Sequence, residues 1–193
     1  MPIRTMLLAA CLLIAGAPLA VAAEEKAVQW VEYRSPERGF AVSFPSSPET
    51  TSAAVTGLNP LTRYSFRAND DADTAYSVVV LEYPSGKGPK APSDEFFAEV
   101  AAAYAKDSDS RIRKKGSKTI VDREGYEVVL DDKTKGKFSH LFDIVPDGDR
   151  LFLVISAGRK GHATGDGAQQ FRDSFRLLSD EDRTGSTHAT SVP

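Results

Sequence analysis

The stretch from residue 111 to residue 157 constrains the fold more than any other part of the sequence. It contains four runs that are rich in β-branched residues or alternate apolar with polar ones, as β-strands do. These runs are 111–121, 125–131, 137–145 and 150–157. Short turn-forming segments separate them, and connections of that length join antiparallel neighbours. The stretch therefore predicts an antiparallel sheet.

Strand-like segments also precede this stretch. Residues 30–33 and 40–44 flank a turn and predict an opening hairpin, and residues 61–68 and 74–83 alternate in the same way. Pro45 and Pro48 end the second strand, because proline cannot donate to the hydrogen-bond ladder of a sheet. We expect residues 46–60 to form a loop or a short irregular strand.

Two segments show helical spacing. The first begins at Ser93, a good N-cap residue, and the second follows the Gly-rich loop 158–167. Their apolar positions are Phe96, Phe97, Val100, Ala101 and Tyr104 in the first, and Ala168, Phe171, Phe175 and Leu178 in the second. The order of elements predicts an α+β fold, a twisted antiparallel β-sheet of about six to seven strands with helices packed on it.

The N-terminus has the layout of an export signal. Arg4 precedes an apolar stretch from Met6 to Ala17, and Pro18 and small residues lead to Ala22 and Ala23. We predict that residues 1–23 are a signal peptide, cleaved after Ala22 or Ala23, and that the protein is periplasmic or secreted. The mature chain is then a single domain over residues 24–178 and a polar tail, 179–193, that we predict to be disordered.

Two other interpretations of the N-terminus remain open. The apolar stretch approaches the ~20 residues of a membrane anchor, although Pro18 and the alanine-rich end argue against one. The sequence Leu8-Ala9-Ala10-Cys11 matches the pattern of a lipoprotein signal. Only residues 6–10 precede Cys11 as an apolar run, shorter than the roughly 7 to 15 residues of an export signal.

Composition excludes several classes of protein. Cys11 is the only cysteine, so a chain cleaved at Ala22 or Ala23 has no disulfide and no thiolate metal site. The formal net charge of −3 becomes more negative when Arg4 is removed. An acidic chain of mixed sign predicts no nucleic-acid partner.

Several core positions together resemble the PsbP-like family of α/β/α sandwiches, over roughly residues 30–178. They lie in the segment 33–45, the strand that ends at Tyr83, Gly125-Tyr126-Glu127, the run 151–157 and the segment 171–175. The resemblance implies an α/β/α sandwich and a binding role. Characterised members include a photosystem II extrinsic subunit and a nuclear Ran-binding release factor, and many bacterial members are small exported proteins. The family has no catalytic motif, so the resemblance implies no catalytic residue.

The Gly-rich loop 158–167 is the strongest candidate for a ligand site. It joins a strand to a helix, where free backbone N–H groups can hold an anion, with Arg159, Lys160 and His162 nearby. The residues that follow Lys160 do not match a phosphate-binding loop, and Asp166 would repel an anion. A flexible connector is the competing interpretation.

A second candidate is a basic strand. Arg111, Arg113 and Lys115 alternate along the run 111–121 and predict a partner-binding patch on one face. The competing interpretation is that basic side chains on an edge strand prevent pairing with another sheet.

Catalytic and metal sites lack a sequence signal. His140, His162 and His188 are the only histidines, and their spacing makes no His-x-x-x-His pair. The chain has no Gly-x-Ser-x-Gly nucleophile elbow. We predict no catalytic residue, no metal and no cofactor.

Taken together, these observations predict an exported, non-enzymatic binding or accessory module of the cell envelope, whose partner is a protein or an envelope component. The alternative is a hydrolase or an anion-binding protein that uses the loop 158–167.

Overall fold

The computed structural model describes residues 28–55, 61–70, 74–89, 92–133 and 137–184. The strands are β1 (Val31–Ser35), β2 (Phe40–Phe44), β3 (Glu49–Val55), β4 (Leu61–Asn69), β5 (Ala75–Glu82), β6 (Ser110–Ile120), β7 (Arg123–Asp132), β8 (Phe138–Asp147), β9 (Arg150–Arg159) and β10 (Arg176–Leu177). The helices are α1 (Asp94–Asp107), α2 (Asp166–Asp173) and α3 (Asp180–Thr184), and a turn of 3-10 helix spans His162–Thr164. The predicted signal peptide lies outside the described residues.

Seven strands form one antiparallel sheet in the order β3-β4-β5-β9-β8-β7-β6. A smaller antiparallel sheet has the order β1-β2-β10. The four strand-like runs between 111 and 157 are β6 to β9, which pair in sequence order. The predicted α+β fold with a twisted antiparallel sheet of six to seven strands is confirmed.

The large sheet separates two apolar cores. On one face, the small sheet and α2 bury a cluster that includes Phe40, Phe66, Phe152 and Phe171. On the other face, α1 buries a second cluster around Phe97. Most apolar residues that the strand and helix patterns of the sequence predict to be buried belong to these two clusters. Because there is a core on each face, the large sheet is the middle layer of a sandwich.

The start of α1 follows from its sequence. The Ser93 hydroxyl accepts a hydrogen bond from the Phe96 N–H at 3.3 Å, which satisfies one free donor of the first turn. Asp94 and Glu95 lie at the positive end of the helix dipole. Phe97, Ala101 and Ala105, spaced four residues apart, are the buried residues of the helix.

The C-terminal part differs from the prediction in two places. The apolar positions from Ala168 to Leu178 predict one helix, but α2 ends at Asp173, and β10 then pairs with β2. The Ser174 hydroxyl lies at this change of direction and links the end of α2 to β2, because it donates to the Phe171 carbonyl at 2.7 Å and accepts from the Ser43 N–H at 2.9 Å.

The first residues of the predicted disordered tail lie in α3. Arg183 on this helix pairs with Asp147 at 3.0 Å, and Asp182 pairs with Arg34 at 3.1 Å. These ion pairs attach α3 to the end of β8 and to β1. Residues 185–193 lie outside the described residues. No helix in the described part of the chain is long and apolar enough to cross a membrane.

Gly125 on β7 marks a close approach between strands. A Cβ atom there would lie 2.6 Å from the Ile144 carbonyl oxygen and 2.9 Å from Ile120 Cδ1. We expect Gly125→Ala to lower the free energy of unfolding by about 2 kcal/mol, because the added methyl group overfills the site. Urea denaturation would measure this change.

Gly116 provides the matched control, since it lies on the neighbouring strand β6 and a Cβ atom there meets nothing within 4 Å. Gly116→Ala should change the free energy of unfolding by no more than about 0.5 kcal/mol. Equal losses in the two variants would contradict the steric explanation.

Candidate functional site

Strand β3 is an open edge of the large sheet. It pairs with β4 along its whole length, from Glu49 opposite Arg67 to Val55 opposite Leu61, and it is the last strand in that direction. All seven of its residues are exposed. The outward-pointing N–H and C=O groups of such a strand can pair with another extended chain. The sequence interpretation of residues 46–60, a loop or a short irregular strand, missed the length and regularity of this strand.

The sequence of β3 lacks the features that usually protect an edge. Glu49-Thr50-Thr51-Ser52-Ala53-Ala54-Val55 contains no lysine, arginine or proline, and its pairing with β4 has no bulge. Ala53 lies directly opposite Arg63 on β4. Arg63 is exposed and makes no ion pair with any described residue, so its positive charge is available at the surface beside the edge.

Strand β6, the opposite edge, is protected. Its pairing with β7 contains a bulge between Ile112 and Lys114. Lys114 and Lys118 form ion pairs with Glu127 at 3.6 Å and 3.1 Å. Charged side chains and a bulge are two of the means by which proteins prevent edge-to-edge pairing.

The bulge divides the predicted basic patch. Arg111 pairs with Asp131 and Lys115 pairs with Val128. Asp131 and Val128 are three residues apart on β7 and so face opposite sides of the sheet, which places Arg111 and Lys115 on opposite faces as well. Arg113 lies at the bulge, and its Nε is 3.4 Å from Asp131 Oδ1. The prediction that Arg111, Arg113 and Lys115 share one face is therefore wrong.

The residues predicted for an anion site lie on the surface. Arg159, Lys160 and His162 are exposed. Of the loop 158–167, only Gly158 lines any of the four clefts that we describe among the ordered strands and loops. Arg159, Lys160 and His162 line none of these four clefts. Within the described residues, no group of three or more His, Cys, Asp or Glu side chains could hold a metal ion.

A polar cleft of about 660 Å³ lies at the end of the sheet where the β8–β9 turn meets α3. Its charges are paired: Arg123 and Arg183 contact Asp147 at 2.9 Å and 3.0 Å, and Arg150 contacts Glu82 at 3.4 Å. Since these side chains join strands, turns and α3 to one another, we interpret the cleft as a structural junction.

A partly buried charge cluster lies beside α2. Glu127 and Asp143 are direct neighbours on β7 and β8. Lys118 Nζ lies 3.1 Å from Glu127 and 3.3 Å from Asp143, and Arg172 Nη1 lies 3.5 Å and 3.3 Å from the same two carboxylates. The two cations thus bridge both acids. The sequence analysis missed this cluster, although Asp143 is the one charged residue in the apolar run Leu141–Val145.

Burial and charge act against each other in this cluster. Burial raises the pKa of Asp143, and the positive charges of Arg172 and Lys118 only partly reverse that effect. Burial would also raise the pKa of Glu127, but the hydrogen bond and charge of Lys118, with the charges of Arg172 and Lys114, lower it below its usual value. The cluster therefore depends on both cations.

The layers and their connections define a class: an α+β sandwich with a central antiparallel sheet. No family model matches the sequence, and no curated protein matches it by sequence. Among solved structures, it is similar to cyanobacterial PsbP (CyanoP) from Synechocystis sp. PCC 6803, with a TM-score of 0.52 and 13% sequence identity. The similarity covers 84% of this chain and 100% of the CyanoP chain. The chain thus has the PsbP-like fold that the core positions predict.

Proposed function

We propose that the protein is an exported binding module of the cell envelope that holds a partner protein by adding an extended segment of that partner to β3. The observation that carries the proposal is that every residue of a regular seven-residue edge strand is exposed. The PsbP-like fold supports an accessory or binding role, and the export signal predicted at residues 1–23 supports the compartment.

The positive charge of Arg63 favours an acidic residue in the partner segment near Ala53, whereas Glu49 disfavours one near the start of β3. Arg63 is the neighbour of Ala53, whose small side chain leaves the space between the guanidinium group and the added strand unobstructed. A carboxylate on the added strand could therefore pair with Arg63. Main-chain hydrogen bonds would supply most of the affinity, and this charge would supply part of the specificity.

The other two candidate surfaces have weaker support. Arg111 and Lys115 lie on opposite faces of β6, and Arg113 lies at its bulge. The charged side chains of this edge strand also act against pairing with another sheet. Arg159, Lys160 and His162 in the Gly-rich loop are exposed and line none of the four clefts described above. We therefore base the proposal on β3.

Site-specific photocrosslinking would test the proposal. A photoreactive amino acid at Ser52 on β3 should form an adduct with a partner protein in envelope extract, and the same amino acid at exposed Thr119 on β6 should not. The crosslinked peptide should be an extended segment with a carboxylate, and its synthetic copy should bind the purified protein. Hydrogen exchange should then show slower exchange at alternate amides of β3.

A charge variant supplies the specificity control. Ala53→Glu should weaken binding of the synthetic segment about tenfold or more, because the added carboxylate lies directly opposite Arg63, neutralises its charge and repels a carboxylate on the added strand. Thr119→Glu, at an exposed position on β6, should leave the binding unchanged. Adducts of equal yield from both edges, an adduct with the mass of two copies of this chain, or binding that only Arg111/Arg113/Lys115→Glu abolishes would each contradict the proposal.

A further inference from the structure

A hollow lies beyond the C-terminal end of α1, on the face of the sheet that this helix covers. The helix ends at Asp107 with Ser108 as its C-cap, but β4, β5, β9 and β8 continue past that point. The space has a volume of about 540 Å³, which is within the range of small-molecule sites. Its lining includes Arg67, Ala75, Asp132, Phe138, His140 and Ala157.

Small side chains create the floor of this hollow. Ala75 on β5 pairs with Ala157 on β9, and Ala157 pairs with His140 on β8. Residues that pair directly across strands share one face, so these three side chains form a row. Two alanines in the row leave a flat apolar surface, and Phe138, 46% exposed, adds an uncovered aromatic ring at one side.

Arg67 supplies a positive charge at the other side, and Glu49 lies directly opposite it on β3. Arg67 is exposed and makes no ion pair with any residue of the described chain. Burial raises the pKa of the Tyr104 hydroxyl, and the positive charge of Arg67 partly opposes that effect. This hydroxyl lies 3.2 Å from His140 Nδ1. Burial lowers the pKa of His140, despite the opposing charge of Asp132, so the imidazole is neutral at neutral pH. Arg67 is thus the cation of the site.

Asp132 limits which anions fit. Its Oδ1 atom is buried and makes no hydrogen bond within the described residues. A carboxylate on the lining disfavours a ligand with two negative charges, since like charges in a cleft repel. A single negative charge near Arg67, together with an apolar body over the alanines, satisfies both constraints.

We propose that this hollow binds a small monocarboxylate with a flat apolar body, with the carboxylate on Arg67 and the body between the Ala75–Ala157 floor and Phe138. This site lies on β4, β5, β9 and β8, apart from the outer edge of β3, and does not depend on the proposed strand addition. The protein would then be able to bind a small molecule and a protein segment at separate places.

Cinnamate is a suitable probe, and NMR titration of the ¹⁵N-labelled protein would measure its binding. We expect chemical-shift changes centred on Ala75, Ala157 and His140 and a dissociation constant of about 1 mM, the affinity typical of a ligand of this size. Cinnamyl alcohol, which lacks the charge, should bind about tenfold more weakly, and so should phthalate, which has two charges.

Two variants with one matched control test the assignment. Arg67→Gln should weaken cinnamate binding about tenfold or more. Arg63→Gln should not, although Arg63 is also exposed, lies on the same face of the same strand and makes no ion pair with a described residue. Ala157→Leu should abolish binding by filling the hollow, and its unchanged remaining spectrum would show that it is folded.

The proposal fails if Arg67→Gln and Arg63→Gln weaken binding equally, because the effect would then reflect general surface charge. It also fails if Ala157→Leu binds cinnamate normally, if cinnamyl alcohol binds as tightly as cinnamate, or if no shift change centres on the hollow. None of these results bears on binding at β3, which the crosslinking experiment tests separately.

Discussion

Replacement of Phe40 by alanine is expected to lower the free energy of unfolding by about 4 kcal/mol, the usual cost of removing a buried phenylalanine ring. Phe40 is completely buried on β2. Its ring centroid lies 5.0 Å from that of Phe66 on β4, 6.1 Å from that of Phe152 on β9 and 6.2 Å from that of Phe175. The ring therefore joins the small sheet to the large one.

Two spectroscopic signals would measure this loss during urea denaturation. Far-UV circular dichroism reports the whole chain, and the fluorescence of Trp30, the only tryptophan, reports the contact with Tyr76, whose ring centroid is 5.2 Å away. Because both cores share the large sheet, the two signals should change at the same urea concentration in the wild type and in Phe40→Ala.

Phe138→Ala is the matched control, since it removes the same ring from a position that is 46% exposed. Its free energy of unfolding should change by no more than about 0.5 kcal/mol. A loss below about 1 kcal/mol in Phe40→Ala would contradict the description of Phe40 as a core residue. Separate transitions for the two signals would show that the small sheet unfolds independently.

The sequence predicts the position and type of those helices and strands in which apolar residues recur at regular spacing. Val78 and Val80 on β5, Phe97 and Ala101 on α1 and the apolar run in β9 each face a core, so the burial pattern appears directly in the order of residues. Short turns between β6, β7, β8 and β9 then determine the antiparallel pairing. The predicted fold class depends mainly on these elements.

Strand β3 escapes such an analysis for a physical reason. None of its residues is buried, so neither face of the strand needs apolar side chains. The segment Thr50-Thr51-Ser52-Ala53 therefore shows no alternation of apolar and polar residues. The strand exists because its backbone pairs with β4, and ladder hydrogen bonds need no particular side chain. An edge strand that is exposed on both faces is therefore the element that hydrophobic periodicity detects least well.

The ends and faces of elements depend on single contacts that sequence spacing does not encode. Phe171 and Phe175 are four residues apart, as in a helix, but α2 ends between them, where the Ser174 hydroxyl is bonded to β2. Similarly, one bulge in β6 moves Lys115 to the face opposite Arg111. Both features result from the packing of neighbouring strands, which supplies no local signal.

The charge cluster is the clearest case of a long-range arrangement, and Arg172→Met should reveal its importance. The arginine lies on α2 with its side chain 13% exposed, and it bridges Asp143, 4% exposed, and Glu127. Methionine keeps an apolar chain of similar length but leaves two neighbouring carboxylates with Lys118 and Lys114 alone. Removal of one partner from such a pair should lower the free energy of unfolding by about 3 kcal/mol at neutral pH.

Arg176→Met is the matched control, because Arg176 pairs with Glu32 at 3.0 Å where both side chains are at least 40% exposed. Water screens such a pair, so the expected loss is below about 1 kcal/mol. Urea denaturation of both variants, measured at several pH values, would separate the contribution of charge from that of packing.

The pH dependence of Arg172→Met has a definite sign. Asp143 already has a raised pKa through burial, and loss of the Arg172 charge should raise it further, so the folded variant binds a proton more tightly than the unfolded chain does. The stability of the variant should therefore approach that of the wild type as the pH falls from 7 to about 4. Asp143→Asn, added to Arg172→Met, should recover about 1 to 2 kcal/mol at neutral pH, since it removes the uncompensated charge. A loss that is independent of pH and not recovered in the double variant would instead mean that Arg172 stabilises the fold through the packing of its aliphatic chain.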